Sequence, residues 1–286
     1  MNTFAGLQEF KAAARQQWDK HAAGWNDHGA QIREWLREPT DGMLAMAEIK
    51  PGARVLDVAA GAGDQTLDIA SRVGPNGSVL ATDLSPAILE FAKEHVRRAG
   101  YRNVETLTAD GESLDVTEGS FDAAISRLGI MLFPDPASAL RSMWRALKPG
   151  GRACTMVFST PEQNPCVSTL VSIAFKHANL PPRDPYQPGG LLSLGKIGLL
   201  DELFRQAGFT QVATTRMSAP FRLSSVKDYL DFVRSSASPV LSILGRVDEA
   251  ARRAAWFEIE SRLSVFNTEN GWEGPNELLL TVGRKP

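Results

Sequence analysis

Short apolar and β-branched runs alternate with amphipathic stretches between residues 50 and 160, and this alternation limits the possible folds most strongly. Strands that alternate with helices form right-handed βαβ units, in which helices cover both faces of a parallel sheet. We therefore predict an α/β fold with a doubly wound sheet. The predicted strands are 54–58, 78–83, 104–110, 121–127 and 152–159.

Two of the intervening stretches carry the signals of helix ends. In "SPAILEFAKEHVRRAG", Ser85 is placed to cap a helix, Pro86 takes the first helical position and Gly100 ends it. In "PASALRSMWRALKPGG", apolar residues recur at i, i+3, i+4 and i+7 from Leu140, before a Pro-Gly-Gly terminator. Both stretches are therefore predicted to be helices that pack an apolar face on the sheet.

The flanks of this alternating region have a different character. Residues 1–48 have helical patterns and three tryptophans, which predict an N-terminal helical lid ahead of a core over 49–160. Residues 161–286 are predicted to hold the remaining core strands together with helical substrate-lid insertions. The elements expected there are a helix over 197–207, a strand over 211–218, helices across 225–265 and a last strand over 276–284.

The glycine-containing stretch "VLDVAAGAGDQT", residues 55–66, lies between the first predicted strand and the first predicted helix. Ligands of open α/β sheets bind beyond the carboxyl ends of the strands, and Gly61 and Gly63 allow a ligand to approach the backbone there. Asp83 ends the second strand and can accept hydrogen bonds from both hydroxyls of a ribose. Asp110 ends the third strand, where it can meet an adenine amino group. These strand ends together predict an adenosine-containing ligand.

The residues around the glycines favour one class of adenosine ligand over another. A dinucleotide site uses G-x-G-x-x-G to bind a pyrophosphate, but the third glycine position here is Thr66. Asp57, at the entrance of the loop, is expected to repel a pyrophosphate and to favour an ammonium and a sulfonium. S-adenosylmethionine (SAM) has that character, so we predict SAM as the cofactor. A dinucleotide-dependent oxidoreductase is the alternative.

At this point the chain resembles the class I SAM-dependent methyltransferases, and most of all the ubiquinone/menaquinone C-methyltransferase (methyltransferase type 11) branch. The resemblance implies a Rossmann-like, seven-stranded sheet with helical lid insertions, and it ends after Pro161. It also places the segment "HAAGWNDHG" where the quinone enzymes have a helix that covers the cofactor. The motifs that carry it are "VLDVAAGAGD", "VLATDLSPAIL", "ADGESLD", "FDAAISRLGIMLFPD", "ALRSMWRALKPGGR" and "FSTP".

The same resemblance implies which residues surround the cofactor. The loop from Asp57 to Gly63 would hold the methionine part, Asp83 the ribose, and Asp110 the adenine edge. Ser126 and Arg127 would line the methionine end. The full expected cofactor-binding set is Asp57, Ala59, Gly61, Gly63, Asp83, Leu84, Asp110, Gly111, Glu112, Ser126, Arg127 and, from its aromatic character, Trp25.

Three of the candidate side chains have structural alternatives. Trp25 can lie against the sulfonium, where an aromatic face stabilises a cation by ~0.5–2 kcal/mol, or it can pack within the lid. Arg127 can hold a carboxylate of the ligand or form a structural ion pair. His28 is a weak candidate for a general base, against a surface or capping role, so the catalytic residue is otherwise unknown. His95 is predicted to face solvent.

Composition excludes several other classes of function. The net charge of −2 is a poor match for nucleic acid, and no run of 18 apolar residues is present to span a membrane. The N-terminus lacks the apolar region of a signal peptide. Two cysteines without ligand-like spacing predict no metal site and a cytoplasmic location.

The function predicted from the sequence is in-line methyl transfer from SAM to carbon, oxygen or nitrogen of a small, largely apolar molecule. Three points stay open at this stage, namely the identity of the acceptor, the atom that is methylated and the oligomeric state. A SAM-binding protein that transfers no methyl group, such as a pericyclase or a partner-binding module, is the second alternative.

Overall fold

A seven-stranded sheet forms the centre of the computed structural model, which describes residues 4–286. Its strands, in chain order, are β1 Arg54–Val58, β2 Ser78–Asp83, β3 Val104–Thr108, β4 Phe121–Arg127, β5 Leu147–Phe158, β6 Thr210–Ser218 and, as the last strand of the chain, β10 Glu277–Arg284. The spatial order is β3-β2-β1-β4-β5-β10-β6. The predicted doubly wound α/β fold is confirmed. The one difference in direction is β10, which runs antiparallel to both β5 and β6.

Ten α-helices surround the sheet within the described part of the chain. They are α1 Phe4–Asp27, α2 Gly29–Met46, α3 Asp64–Val73, α4 Pro86–Arg98, α5 Pro136–Ala146, α6 Pro165–His177, α7 Leu199–Gln206, α8 Val226–Ser236, α9 Ser238–Leu244 and α10 Glu249–Leu263. The strand order reverses between β1 and β4. Right-handed crossovers therefore place α3 and α4 on one face of the sheet and α5 on the other.

Helix α4 shows how the local sequence sets the element. The Oγ of Ser85 accepts a hydrogen bond from the backbone N–H of Ile88 at 3.2 Å, and Pro86 occupies the first helical position. Gly100 has a φ of +78°, which a glycine adopts without strain, and the helix has ended before it. Its apolar face is buried as predicted.

Two strand limits differ from the prediction by more than one residue. Strand β3 ends at Thr108, so that Asp110 lies beyond it and caps a short 3₁₀ turn over Gly111–Ser113. Strand β5 begins at Leu147 rather than at Arg152. It continues through the Pro-Gly-Gly sequence because Gly150 N–H donates to the carbonyl of Lys285 at 2.9 Å, which extends the sheet pairing beyond β10.

A second, three-stranded antiparallel sheet lies among the helices that follow β5. Its strands are β7 Phe221–Leu223, β8 Asn267–Thr268 and β9 Gly271–Gly274, in the order β7-β9-β8. Trp272 of β9 is 1% exposed, stacks on Tyr229 of α8 at a centroid distance of 4.6 Å, and donates its indole N–H to the carbonyl of Leu263 at 2.8 Å. The predicted insertions are thus helical except for this small sheet.

The three-part domain division made from the sequence remains a prediction, and residues 1–3 of its N-terminal lid lie outside the described residues. Across residues 4–286, no helix is both long enough and apolar enough to cross a bilayer. The same residues contain no group of three or more His, Cys, Asp and Glu side chains placed to bind a metal ion. Cys154 and Cys166 are buried free thiols.

Candidate active site

A cavity opens where β1, β2 and β4 end, at the point where the strand order reverses. Its empty volume is about 910 Å³, the open space at its mouth included. Its lining residues are Phe10, Lys11, Ala14, Trp18, Trp25, Ala59, Ala60, Gly61, Gln65, Asp83, Leu84, Ile88, Ala109, Asp110, Gly111, Glu112, Arg127, Leu128, Gly129, Leu132, Phe133 and Pro134. Helix α1 therefore forms one wall and the strand ends form the other.

Asp83 is fixed at the end of β2 by the backbone of two neighbouring segments. Its Oδ2 accepts from the Gly61 N–H at 3.0 Å and its Oδ1 accepts from the Ser85 N–H at 2.9 Å. Each carboxylate oxygen can accept more than one hydrogen bond, so both retain acceptor capacity towards the cavity. Burial raises the pKa of Asp83 to about 6, although the backbone donors act in the opposite direction.

The glycine loop approaches the cavity as the sequence indicated. Gly61 lines it with a φ of +59°, and a Cβ at this position would lie 3.4 Å from Nε1 of Trp25. Gly63 has a φ of +84° and precedes α3, where a Cβ would come within 2.8 Å of the Cβ of Ala92. Gly63 therefore permits the close packing of the loop on α4 but does not line the cavity.

Asp57 occupies a different position from the one on which the sequence argument relied. Its side chain is fully buried beneath the loop and does not line the cavity. It accepts hydrogen bonds from the Thr66 hydroxyl at 2.6 Å and the Gln65 amide at 3.2 Å, both from the first turn of α3. Burial raises the pKa of Asp57 to about 6. The expected direct contact with a cationic ligand is not what the structure shows, because α3 uses this carboxylate to fix the loop.

The negative charge at the cavity comes instead from three other acids. Asp83, Asp110 and Glu112 line it, as do the cations Lys11 and Arg127. Each cation is paired: Arg127 with Asp64, and Lys11 with both Asp110 and Glu112. With Asp64 included, the charges at this site are four negative and two positive, which favours a cationic ligand.

Arg127 takes the structural role that the sequence left as its alternative. It is 6% exposed, pairs with Asp64 at the start of α3, and donates to the Oγ1 of Thr40 in α2 at 3.0 Å. It nevertheless lines the cavity. Ser126, beside it, is fully buried, does not line the cavity, and its Oγ has no hydrogen-bond partner among the described residues.

The histidine candidates lie outside the cavity lining. His28 lies between α1 and α2, where its Nδ1 is 2.5 Å from Oε1 of Gln31 and its ring packs edge-on against Phe232. The prediction for His95 is wrong, because its ring Nδ1 bonds the carbonyl of Ala62 in the glycine loop at 2.9 Å. Neither position brings an imidazole to the cavity.

Trp25 is the predicted aromatic residue that does reach the cavity. It packs edge-on against Trp18 at a centroid distance of 6.0 Å and contacts Phe232 of α8 at 6.2 Å. The sequence did not identify Trp18, Phe10 or Lys11 as lining residues. Their positions along α1 place them on its cavity side, but only the packing of α1 on the core reveals which side that is.

Comparison with known proteins identifies the family of this chain. A profile of the ubiE/COQ5 methyltransferase family matches residues 31–179, which is just over half of the chain. The chain belongs to the ubiE/COQ5 methyltransferase family. Both the resemblance seen in the sequence and its predicted cofactor, SAM, are confirmed by this membership.

Individual members of this family are similar over part of their length. The ubiquinone/menaquinone biosynthesis C-methyltransferase UbiE of Pasteurella multocida is 37% identical over 134 residues, which is 46% of this chain and 48% of that protein. The demethylmenaquinone methyltransferase of Lactococcus lactis is 31% identical over 170 residues, which is 56% of this chain and 67% of that protein. The chain spans about half the length of the curated UbiE relatives that it matches.

The fold of this family member also matches solved structures. The YcgJ protein of Bacillus subtilis superposes with a TM-score of 0.59 at 20% identity, over 87% of this chain and 98% of that one. At this identity the match shows the fold alone.

Proposed function

We propose that this protein is a SAM-dependent methyltransferase that acts on a small, uncharged and largely apolar molecule. The observation that carries the proposal is Asp83, which two backbone N–H groups orient so that its oxygens face a cavity beside the glycine loop. A carboxylate held in this way can accept hydrogen bonds from both hydroxyls of a ribose. The excess of acids around the same cavity suits a sulfonium better than a pyrophosphate.

The lining residues divide into groups that fit the parts of SAM. Asp83 would bind the ribose, and Leu84, Ala109 and Phe133 offer apolar surface for the adenine. Asp110 would accept from the adenine amino group. Gly61, Arg127 and Gln65 surround the opposite end, where the methionine part would lie. Asp57 would act indirectly, by holding the loop through Thr66 and Gln65.

The acceptor class is inferred from the charges that remain available. Both cations of the described lining are already paired with carboxylates, so an anionic acceptor would find no free positive charge there. Aromatic and aliphatic side chains make up much of the wall, among them Trp18, Trp25 and Leu132. Together these features favour a neutral acceptor with apolar surface, and a small molecule over nucleic acid.

SAM supplies the electrophilic methyl group when it is bound. The protein's contribution would be to align the acceptor with it and to exclude water, and alignment alone lowers a barrier by up to ~7–11 kcal/mol. Helix α1 covers the cavity and can serve that purpose. We assign no general base, because His28 is bonded to Gln31 and does not reach the cavity.

The proposal includes a cytoplasmic setting, which two buried free cysteines support. Two measurements test the function itself. Isothermal titration should show micromolar binding of SAM and S-adenosylhomocysteine, weakened about a hundredfold by Asp83→Ala, equivalent to ~2.7 kcal/mol. Absence of binding to the unchanged protein would refute the proposal. A parallel titration with NADH tests the oxidoreductase alternative and should show no binding.

Incubation with methyl-labelled SAM and a cell extract then tests catalysis. The expected result is a labelled small molecule, identified by mass spectrometry, together with an equal amount of S-adenosylhomocysteine. Cofactor binding without any S-adenosylhomocysteine formed would instead support a SAM-binding protein that transfers no methyl group.

A further inference from the structure

Lys11 on α1 reaches across the cavity to the strand ends on its other side. Its Nζ lies 2.7 Å from Oδ2 of Asp110 and 2.5 Å from Oε2 of Glu112. These acids belong to the turn after β3, where the sequence places the contacts to adenine. The lysine thus connects the lid helix to the proposed adenine end of the site.

The environment of this contact makes it stronger than an ordinary surface ion pair. The side chain of Lys11 is 15% exposed and that of Glu112 is 6% exposed, so water screens the charges weakly. Burial lowers the pKa of Lys11, but the hydrogen bonds and charges of Asp110 and Glu112 outweigh it and raise the pKa overall. Lys11 is therefore a cation at neutral pH, bonded to two carboxylates at once.

The two halves of α1 are attached to the protein differently. In the C-terminal half, Oδ1 of Asp19 accepts from the Ser85 hydroxyl at 2.6 Å, which ties α1 to the start of α4. Gly24 packs so closely on α8 that a Cβ there would lie 2.1 Å from the carbonyl oxygen of Ser235. In the N-terminal half, the ring of Phe10 packs on the backbone at Gly189, and a flexible lysine side chain makes the contact that spans the cavity. Loss of the lysine contact would loosen this half while the other stays anchored.

We propose that Lys11 is a cofactor-retention residue, which holds the N-terminal half of α1 over the adenine end of the cavity by binding Asp110 and Glu112 together. Release of the cofactor then requires this contact to open. The inference rests on the proposed function, because it takes SAM to be the ligand of the cavity. In the protein without ligand, the same contact keeps α1 closed over the cavity.

The first test uses the protein without ligand and compares amide hydrogen exchange in Lys11→Met with the unchanged chain. The methionine keeps the length and the apolar stem of the side chain and removes its charge. Peptides over residues 4–18 should exchange at least several-fold faster in the variant, while those over 19–27 change little. Lys20→Met, an exposed lysine of the same helix, is the matched control and should leave exchange unchanged. Equal exchange in Lys11→Met and the unchanged protein would overturn the proposal.

The second test measures the release of S-adenosylhomocysteine by stopped flow. The signal is the tryptophan fluorescence of the protein, to which Trp18 and Trp25 contribute from the cavity wall. Lys11→Met should release it about tenfold faster, and Lys11→Arg, which keeps the charge, should restore a rate near that of the unchanged protein. Glu112→Gln gives an independent variant that leaves Lys11 in place, and it should fall between the two. An unchanged release rate in both Lys11→Met and Glu112→Gln would overturn the role in retention.

The two readouts separate this inference from the proposed function. If the unchanged protein binds no S-adenosylhomocysteine, the proposed function fails and the exchange experiment still decides whether Lys11 keeps α1 closed. If the protein binds it and neither exchange nor release responds to Lys11→Met, the cofactor assignment stands and the retention role fails.

Discussion

The strand-end loops around the cavity and the lid region formed by α8, α9, α10 and the three-stranded sheet are held together by different kinds of contact. In the loops, carboxylates bond to nearby backbone groups, as Asp83 does with Gly61 and Ser85. In the lid, aromatic rings from distant parts of the chain pack on one another, as Tyr229 does with Trp272. The difference teaches that the geometry of the proposed cofactor site depends on local polar contacts, whereas the stability of the lid region depends on long-range packing. Substitutions in the two regions should therefore have separable effects.

The largest effect is expected on the lid side, from Trp272→Ala. This side chain is fully buried and its removal leaves a large cavity, so the free energy of unfolding should fall by about 3–5 kcal/mol. Denaturant unfolding followed by circular dichroism measures it. Trp144→Ala is the control, because that ring, which belongs to α5, is only partly buried, and its removal should cost less. If Trp272→Ala weakens SAM binding as strongly as it destabilises the fold, the effects of the two regions are not separable.

On the loop side, Asp83→Asn should weaken SAM binding by about 2–3 kcal/mol, since charge-assisted hydrogen bonds to the ribose are lost. Asp57→Asn is a close control, because both acids have a pKa raised to about 6 but only Asp83 lines the cavity. Titration calorimetry should show a much smaller loss for Asp57→Asn. An equal loss for both would mean that the loop responds as a unit and that the two acids cannot be distinguished by their contact with the cavity.

The pH dependence of SAM binding should follow the ionisation of Asp83. Asp83, with its pKa raised to about 6, is mostly protonated at pH 5 and mostly ionised at pH 7.5. Ribose hydroxyls donate best to the ionised form, so SAM affinity should rise about tenfold from pH 5 to pH 7.5, equivalent to ~1.4 kcal/mol. Calorimetry at several pH values measures the change, and Asp83→Asn should flatten the profile. A profile in Asp83→Asn as steep as in the unchanged protein would point to another group.

The free energy of unfolding should depend on pH in the opposite sense to SAM binding, through Asp57 and Asp83. A raised pKa in the folded state means that the folded protein binds protons more tightly than the unfolded chain between about pH 4 and pH 6. The contribution of Asp57 and Asp83 to stability is therefore largest at low pH and is lost as the pH rises through 6. Comparison of the unfolding midpoint of Asp57→Asn with that of the unchanged protein at pH 5 and pH 7.5 isolates the contribution of Asp57.

The smallest effect is expected where the two regions meet, at Trp25. This residue lines the cavity and also packs on Phe232 of the lid. If its ring faces the sulfonium, Trp25→Leu should weaken binding of SAM more than binding of S-adenosylhomocysteine, whose sulfur is uncharged, by about threefold or ~0.6 kcal/mol. The ratio of the two dissociation constants is the readout. An equal loss for both ligands would assign Trp25 to lid packing alone.

The sequence predicted best what neighbouring residues determine. Strand β2 and its terminal Asp83, the capped helix α4 and the glycine loop all follow from patterns within some 30 residues. It predicted the orientation of Asp57 incorrectly, because the hydroxyl of Thr66 and the amide of Gln65 turn back to this carboxylate only once α3 has formed. His95 was misjudged for the same reason, since its partner is a carbonyl of the folded loop.

Apart from Trp25, the part of the site on α1 was not indicated by sequence patterns. Lys11 contacts an acid 99 residues away along the chain, and no local period indicates that pairing. The strands of the small sheet contain two to four residues, too few to show an alternating pattern. Long-range packing selects both features, and each becomes visible only in the assembled structure.

The position of β10 in the sheet has a consequence for the order in which the protein can form during translation. Strand β6 joins the sheet only through β10, which is inserted between β5 and β6. Until residues 277–284 have left the ribosome, β5 presents an open edge and β6 has no neighbour, although every strand of the cofactor side is already synthesised. Nascent chains are aggregation-prone while such edges are exposed. A chaperone that shields β5 during this interval would therefore act on the half of the sheet that does not line the proposed cofactor site.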